Sequence, residues 1–403
     1  MHTISPKNRA KILSQALRAL VRNASETMDF LQSSNENSPA EITMIASDAD
    51  LEASALSKAA APGNSTSLDQ WRGLALVLVL ISHAFFYTGR VHGIGRVGVN
   101  LFFFISGILV FRSLAKDRVA SRWERGRKFW KRRLMRLYPA MGTFILAIAP
   151  IVFLLQNRPG LPPNSDFGHF LTGLPFALGY LENYFTTSMS VGHLWSVSCE
   201  MQFYLFAPVI FFLGGSTISR RNVVWGTLLL LLMALGLSLP FFGDDKKYRF
   251  EFAVWPMMLG FFCEYQKIWL QEISRRWARS LIRLCLGILA ASLLLMLFGL
   301  SMKKLVIGAG VFVFIPCFLS YLSGQSMPGL AGRWMAWMGV RTYSIYLWQQ
   351  PLTICCFLPI VWHPVGAMLS IFVGAVWFHL FERPFLTRGR RAWTANAPLV
   401  AGS

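Results

Sequence analysis

A series of apolar runs, each close to the length needed to cross a bilayer, constrains this chain more than any other feature. From residue 71 onward they fall at roughly 71–90, 95–112, 139–156, 199–214, 222–242, 250–266, 280–299, 303–322, 339–361 and 364–382. A helix that spans the hydrocarbon core needs about 20 mostly apolar residues at a rise of about 1.5 Å each. Composition agrees: only 14% of the residues are charged, against about 25% in an ordinary soluble chain. The expected fold is therefore all-α, a polytopic membrane helix bundle of about ten transmembrane helices.

Loop charge sets the expected orientation, because short cytoplasmic loops collect Lys and Arg. A further stretch, 168–185, is weakly apolar and contains Glu182 and Asn183. Ten crossings without it, from a cytoplasmic N-terminus, put 112–138, 215–221, 267–279, 323–338 and the tail after 382 inside. Those segments hold "KDRVASRWERGRKFWKRRLMR", "SRR", "QKIWLQEISRRWAR", "GRW" and "RPFLTRGRR". A crossing by 168–185 would move "SRR" and "SRRWAR" outside. Ten crossings, both termini cytoplasmic and 157–198 outside or re-entrant is the preferred arrangement. The net charge of +20 then reflects positive-inside loops and an anionic cofactor, with no call for nucleic acid.

Residues 1–67 differ from the rest. A short basic amphipathic stretch is followed by a polar, small-residue-rich segment with no apolar period, expected to be a flexible cytoplasmic extension. No apolar region of about 7–15 residues follows the N-terminal charges, so no signal peptide is expected. Residues 68–385 form the expected membrane domain and 386–403 a basic cytoplasmic tail. The six cysteines, Cys199, Cys263, Cys285, Cys317, Cys355 and Cys356, lie in or beside apolar runs without metal-ligand spacing. They read as small core residues, and no metal is expected.

Polar residues inside apolar runs are where function is sought, since ionisable groups at membrane depth line protein interiors or wet cavities. Asp69 and Arg72 are three apart and pair at the start of the first span. His83 lies about 16 Å further along a helix, and eleven steps of about 100° return it to within about 20° of the Arg72 face. An imidazole there suits a general base, with a structural hydrogen bond to a neighbouring helix as the alternative. The segment "GHLWSVSCEMQFYLFAP" crowds His193, Trp195, Ser196, Glu200, Gln202 and Tyr204 into a span entrance. In "GVNLFFFISGILV", Asn100, Ser106 and Gly107 occupy the second span, with Gly107 read first as close helix packing. Between Arg112 and Arg136 lie 11 Lys and Arg, a topology anchor. Within them, Arg133 and Arg136 share a helical face next to Arg132, a geometry that grips phosphate. "RTYSIYLWQQP" brings Tyr343, Ser344, Tyr346, Gln349 and Gln350, either as an aromatic belt or as a cavity lining. No P-loop, GxSxG, HExxH or dinucleotide-binding GxGxxG is present, which argues against serine hydrolases and nucleotide hydrolysis.

In order along 68–385, these segments resemble the acyltransferase-3 family of integral membrane O-acyltransferases. "LDQWRGLALVLVLISHA" is similar to the family's LDGLRGLAAL…HA opening, "VGVNLFFFISGILV" to GVDLFFVLSGFLI, and "FWKRRLMRLYPA" to its RRxxRIxPA motif. "HLWSVSCEMQFYLFAP" resembles HTWSLSVEEQFYLLWP, and "YSIYLWQQP" and "FERPF" resemble the last two motifs. The resemblance implies transfer of an acyl group, most simply acetyl from acetyl-CoA, to a hydroxyl of a carbohydrate or another acceptor at a bacterial inner membrane. It implies catalytic roles for Arg72 and His83, with Glu200 and Asp69 supporting them. CoA would be held by Arg133 and Arg136, with Arg132, Ser106 and Gly107 beside them. Trp195, Ser196, Tyr204 and Gln349 would contact the acceptor. Three positions depart from the pattern: Met201 stands where a second Glu is usual, Asn100 where Asp or Glu is common, and Gln349 where His is frequent. The rival class is a transporter or flippase using Arg72, His83 and Glu200 for substrate or protons.

Overall fold

The computed structural model describes residues 65–85, 92–116, 121–157, 164–185, 188–215, 217–242, 248–267, 310–353 and 363–387, with scattered residues between 270 and 291. The N-terminal extension up to 64, most of the expected span at 280–299, Cys355, Cys356 and the tail from 388 lie outside the described residues. Every regular element among the described residues is helical. Ten helices are labelled here: α1 (Ser65–Ala84), α2 (His92–Ala115), α3 (Arg122–Leu155), α4 (Phe167–Leu178), α5 (Trp195–Leu213), α6 (Ile218–Phe242), α7 (Trp255–Tyr265), α8 (Phe314–Ser323), α9 (Gly329–Thr353) and α10 (His363–Trp377).

Five described helical segments are long and apolar enough to cross a membrane: Gly93–Ala115, Arg122–Leu155, Gly192–Leu213, Ile218–Gly236 and His363–Thr387. Their outer faces are apolar. Leu146, Leu154, Leu230, Met368 and Phe372 are each about two-thirds exposed or more. Water would penalise such a surface, and acyl chains cover it without cost. The chain is a membrane protein.

The apolarity criterion does not select α1 and α9, and their packing explains why. They form the most extensive helix pair in the bundle and turn polar faces inward. A Cβ at Gly339 would overlap the Asp69 backbone carbonyl, so the two helices meet backbone to backbone. A second close crossing joins α2 and α7: a Cβ at Gly107 would strike the Met257 carbonyl, and one at Gly260 the Phe104 carbonyl. Gly107 is thus a packing residue.

Two local departures from the expected spans matter for the site. The basic segment before the third span is not a loop: α3 runs unbroken for 34 residues from Arg122, with the Ser121 side chain accepting from the Glu124 N–H at 3.2 Å. Good helix formers and i,i+4 pairs such as Glu124–Lys128 at 2.8 Å extend the span outward by nearly five turns, at about 3.6 residues per turn. At the other end of the chain, α10 continues into a single π-helical turn, Phe378–Glu382, closed by the Arg383 N–H on the Phe378 carbonyl. Pro384 has no N–H to offer the Leu380 carbonyl, which favours this wider turn. The turn directs Glu382 into the bundle, where it is 1% exposed. The weakly apolar stretch folds as α4, 12 residues long and capped by Asp166. At about 1.5 Å per residue, α4 is too short to cross.

Candidate active site

Helices α1, α2, α3, α5 and α9 enclose a cleft of about 670 Å³ of empty space, its open mouth included. Its polar lining is Arg72 from α1, Ser106 from α2, Arg133 and Arg136 from α3, Ser196, Glu200 and Tyr204 from α5, and Thr342, Tyr343 and Tyr346 from α9. Nine residues singled out from sequence, Tyr343 and Tyr346 included, are therefore brought together by five helices that are scattered along the chain.

Among the described residues that line the cleft, Glu200 is the only carboxylate. Its Oε1 accepts from the Ser106 hydroxyl at 2.5 Å and also from the Tyr204 hydroxyl, one turn further along α5. The Arg133 guanidinium lies 4.7 Å from the Tyr204 ring centroid and 5.4 Å from that of Phe129. Its Nη2 donates to the Leu109 carbonyl at 3.4 Å. Planar guanidinium on an aromatic face is a stable arrangement that leaves the edge free to bind an anion. Arg136 faces Glu382 with Nε 3.9 Å from Oε1, and the Ser344 hydroxyl donates to the other Glu382 oxygen at 2.6 Å. Asp69 sits 3.7 Å from Arg72. Three guanidiniums thus reach a cleft lined by one carboxylate, while Asp69 and Glu382 balance them from behind.

Ser196 shares a 2.7 Å hydrogen bond with the Tyr346 hydroxyl, and Tyr346 donates to the His193 carbonyl at 3.0 Å. Three residues further along α9 than Tyr346, Gln349 meets His83: the ring Nδ1–H donates to the Gln349 Oε1. His83 does not line the cleft. Arg72 and His83 both lie on α1, at separate stations: one lines the cleft and the other meets Gln349.

The remaining candidates have other surroundings. Trp195 is stacked near Arg96, at 5.2 Å, and Tyr248, at 4.6 Å between rings. The Nη2 of Arg132 donates to the Ser113 hydroxyl at 3.4 Å, away from the cleft. Glu382 is the residue that sequence reasoning left unassigned. Its signal was a lone carboxylate inside the last apolar span, just before a proline. Among the described residues no cluster of three or more His, Cys, Asp or Glu is arranged to hold a metal ion.

The family model described as an acyltransferase domain matches residues 65–383, which include every residue of this cleft. The chain belongs to the acyltransferase-3 family. Among curated relatives, the O-acetyltransferase OatA of Staphylococcus aureus strain NCTC 8325 is 25% identical over 376 residues, covering 84% of this chain and 60% of its own length. A Bacillus subtilis strain 168 protein provisionally named a peptidoglycan O-acetyltransferase, YrhL, is 24% identical over 365 residues, covering 81% of this chain and 56% of its own length. The chain thus spans somewhat more than half the length of these relatives. No solved structure matches.

Proposed function

We propose that this acyltransferase moves an acyl group, acetyl in the simplest case, from acyl-CoA to a hydroxyl of a cell-envelope glycan. The single observation that carries this reading is the cleft in which Arg72, Arg133 and Arg136 converge on Glu200, Ser106 and Tyr204. The 3′-phosphate and diphosphate of CoA call for several guanidiniums, since each forms charge-assisted, often bidentate bonds to phosphate. The pantetheine arm would follow the cleft inward, where exclusion of water protects the thioester from hydrolysis. The names of the relatives support acetyl as the group and a glycan such as peptidoglycan as the acceptor. A plasma-membrane location with about ten crossings and cytoplasmic termini fits the basic segments, and it would present CoA on the side where Arg133 and Arg136 enter.

His83 and Gln349 form the acceptor end in this proposal. With Nδ1–H given to Gln349, Nε2 is the acceptor nitrogen of the ring and can take a hydroxyl proton. The test is transfer from labelled acetyl-CoA to a glycan acceptor in proteoliposomes, comparing wild type with Glu200→Gln. The variant should lose about 10²-fold or more in rate, the usual scale for an acid–base group. Equal rates, with both proteins folded, would reject the assignment.

A further inference from the structure

We infer that the outward face of α3 is a binding site for an anionic phospholipid. Arg127 and Lys131 hold the phosphate, and Leu134, Met135 and Tyr138 carry the acyl chains. This surface is separate from the cleft, and the inference does not depend on the acyl-CoA reading.

The helix is basic on two sides. At about 100° per residue, Trp123, Arg127, Lys131, Leu134, Met135 and Tyr138 fall within a band about 120° wide. Arg133 and Arg136 point roughly the opposite way and line the cleft. Each of these inward arginines has a seat in the bundle, Arg133 on the Tyr204 ring and Arg136 beside Glu382. Arg127 and Lys131 instead stand exposed. Glu124 is the one carboxylate in the sequence of α3, and Lys128 holds it at 2.8 Å. The outward band therefore keeps its positive charge.

The band changes character along its length. Past Lys131 its side chains are apolar or aromatic, and Leu134, Met135 and Tyr138 are all exposed. From Lys131 to Met135 is one turn, about 6 Å. The headgroup layer on each side of the hydrocarbon core is about 5–8 Å thick, so a phospholipid passes from phosphate to acyl chain over the same length. Arg127 and Lys131 are i,i+4 neighbours and can share one phosphate between them. A zwitterionic headgroup would bring its own ammonium against these cations, which selects for a lipid with net negative charge.

The basic end of the band also carries an exposed indole. Trp123 is 70% exposed and meets Trp130 edge to face, 6.2 Å between centroids. Trp130 is fixed in turn, since its ring N–H donates to the Tyr204 carbonyl at 3.0 Å. Indoles held at this level suit the headgroup layer, where one part of the ring is apolar and the other wet.

The experiment titrates purified protein in detergent with phosphatidylglycerol or phosphatidylcholine and reads bound lipid by native mass spectrometry. Wild type is compared with Arg127→Gln/Lys131→Gln and with a charge-matched control, Arg220→Gln/Arg333→Gln, whose arginines are exposed elsewhere. Wild type should bind phosphatidylglycerol more tightly than phosphatidylcholine. The α3 double variant should lose about 25-fold in affinity for phosphatidylglycerol, about fivefold for each cation removed, and the control should keep wild-type affinity. Unchanged binding by the α3 variant overturns the inference. So does an equal loss in both double variants, which would reveal a diffuse field of positive charge in place of a site. Equal affinity of the wild type for the two lipids also overturns it, as does displacement of the lipid by glycerol phosphate, which would make the site one for free phosphate.

Discussion

Arg136 and Glu382 meet at 3.9 Å although one lies near the middle of α3 and the other in the π-helical turn that follows α10. Glu382 is 1% exposed, its second oxygen is bonded by Ser344, and its partner guanidinium lines the cleft. This carboxylate fixes where Arg136 points.

Removing one partner of a buried ion pair leaves the other charge uncompensated, at a cost of about 3–5 kcal/mol. Glu382→Ala should therefore lower the melting temperature in detergent by many degrees and weaken CoA binding through Arg136. Combining it with Arg136→Met should restore part of the stability and none of the binding. A thermal-shift series with and without CoA separates the two effects.

The guanidinium of Arg133 is stacked on Tyr204 while its edge reaches the cleft. Lysine keeps the charge and loses both the stack and the planar fork. Arg133→Lys should weaken CoA binding by about tenfold, or about 1.4 kcal/mol. Binding measured by calorimetry should also weaken as salt rises, since the contact is to phosphate. A lysine variant with wild-type affinity would show that only charge matters there.

Gln349 holds His83 outside the cleft, so its loss should leave the donor side alone. Gln349→Leu should lower kcat while the KM for acyl-CoA stays near wild type. Steady-state kinetics with saturating acceptor measure this split. A raised KM for acyl-CoA with unchanged kcat would place Gln349 on the donor side.

The α2–α7 crossing allows no side chain at Gly107 or Gly260. Overpacking of this kind costs about 1–3 kcal/mol. Gly107→Ala and Gly260→Ala should each destabilise the bundle, and the double variant should cost less than the sum, because one separation of the helices relieves both. Unfolding midpoints in detergent would show this; strictly additive losses would mean that the two contacts are independent.

Much of the site was legible in the sequence because its residues sit in locally recognisable motifs. Arg72, Ser106, Arg133, Arg136, Ser196, Glu200 and Tyr204 all reach the cleft. The helical period also placed His83 on the Arg72 face. Its partner was not legible: α1 and α9 are the most closely packed pair, yet nothing in the local pattern of residues 65–84 points to 329–353. Gln349 read as an acceptor contact, and its hydrogen bond to His83 was not legible beside that reading. Arg132 and Trp195 carried the right residue types and face elsewhere, since neighbouring positions on a helix point about 100° apart. Glu382 needed the π-helical turn to aim it inward, a feature that a helical wheel of regular period does not contain.

The central claim, that the arginine-lined cleft holds the acyl donor, is tested most directly by CoA binding to the purified protein. Calorimetry should give saturable binding to wild type and at least about tenfold weaker binding to Arg133→Ala and to Arg136→Ala. Equal affinity in all three proteins, each folded, would contradict it.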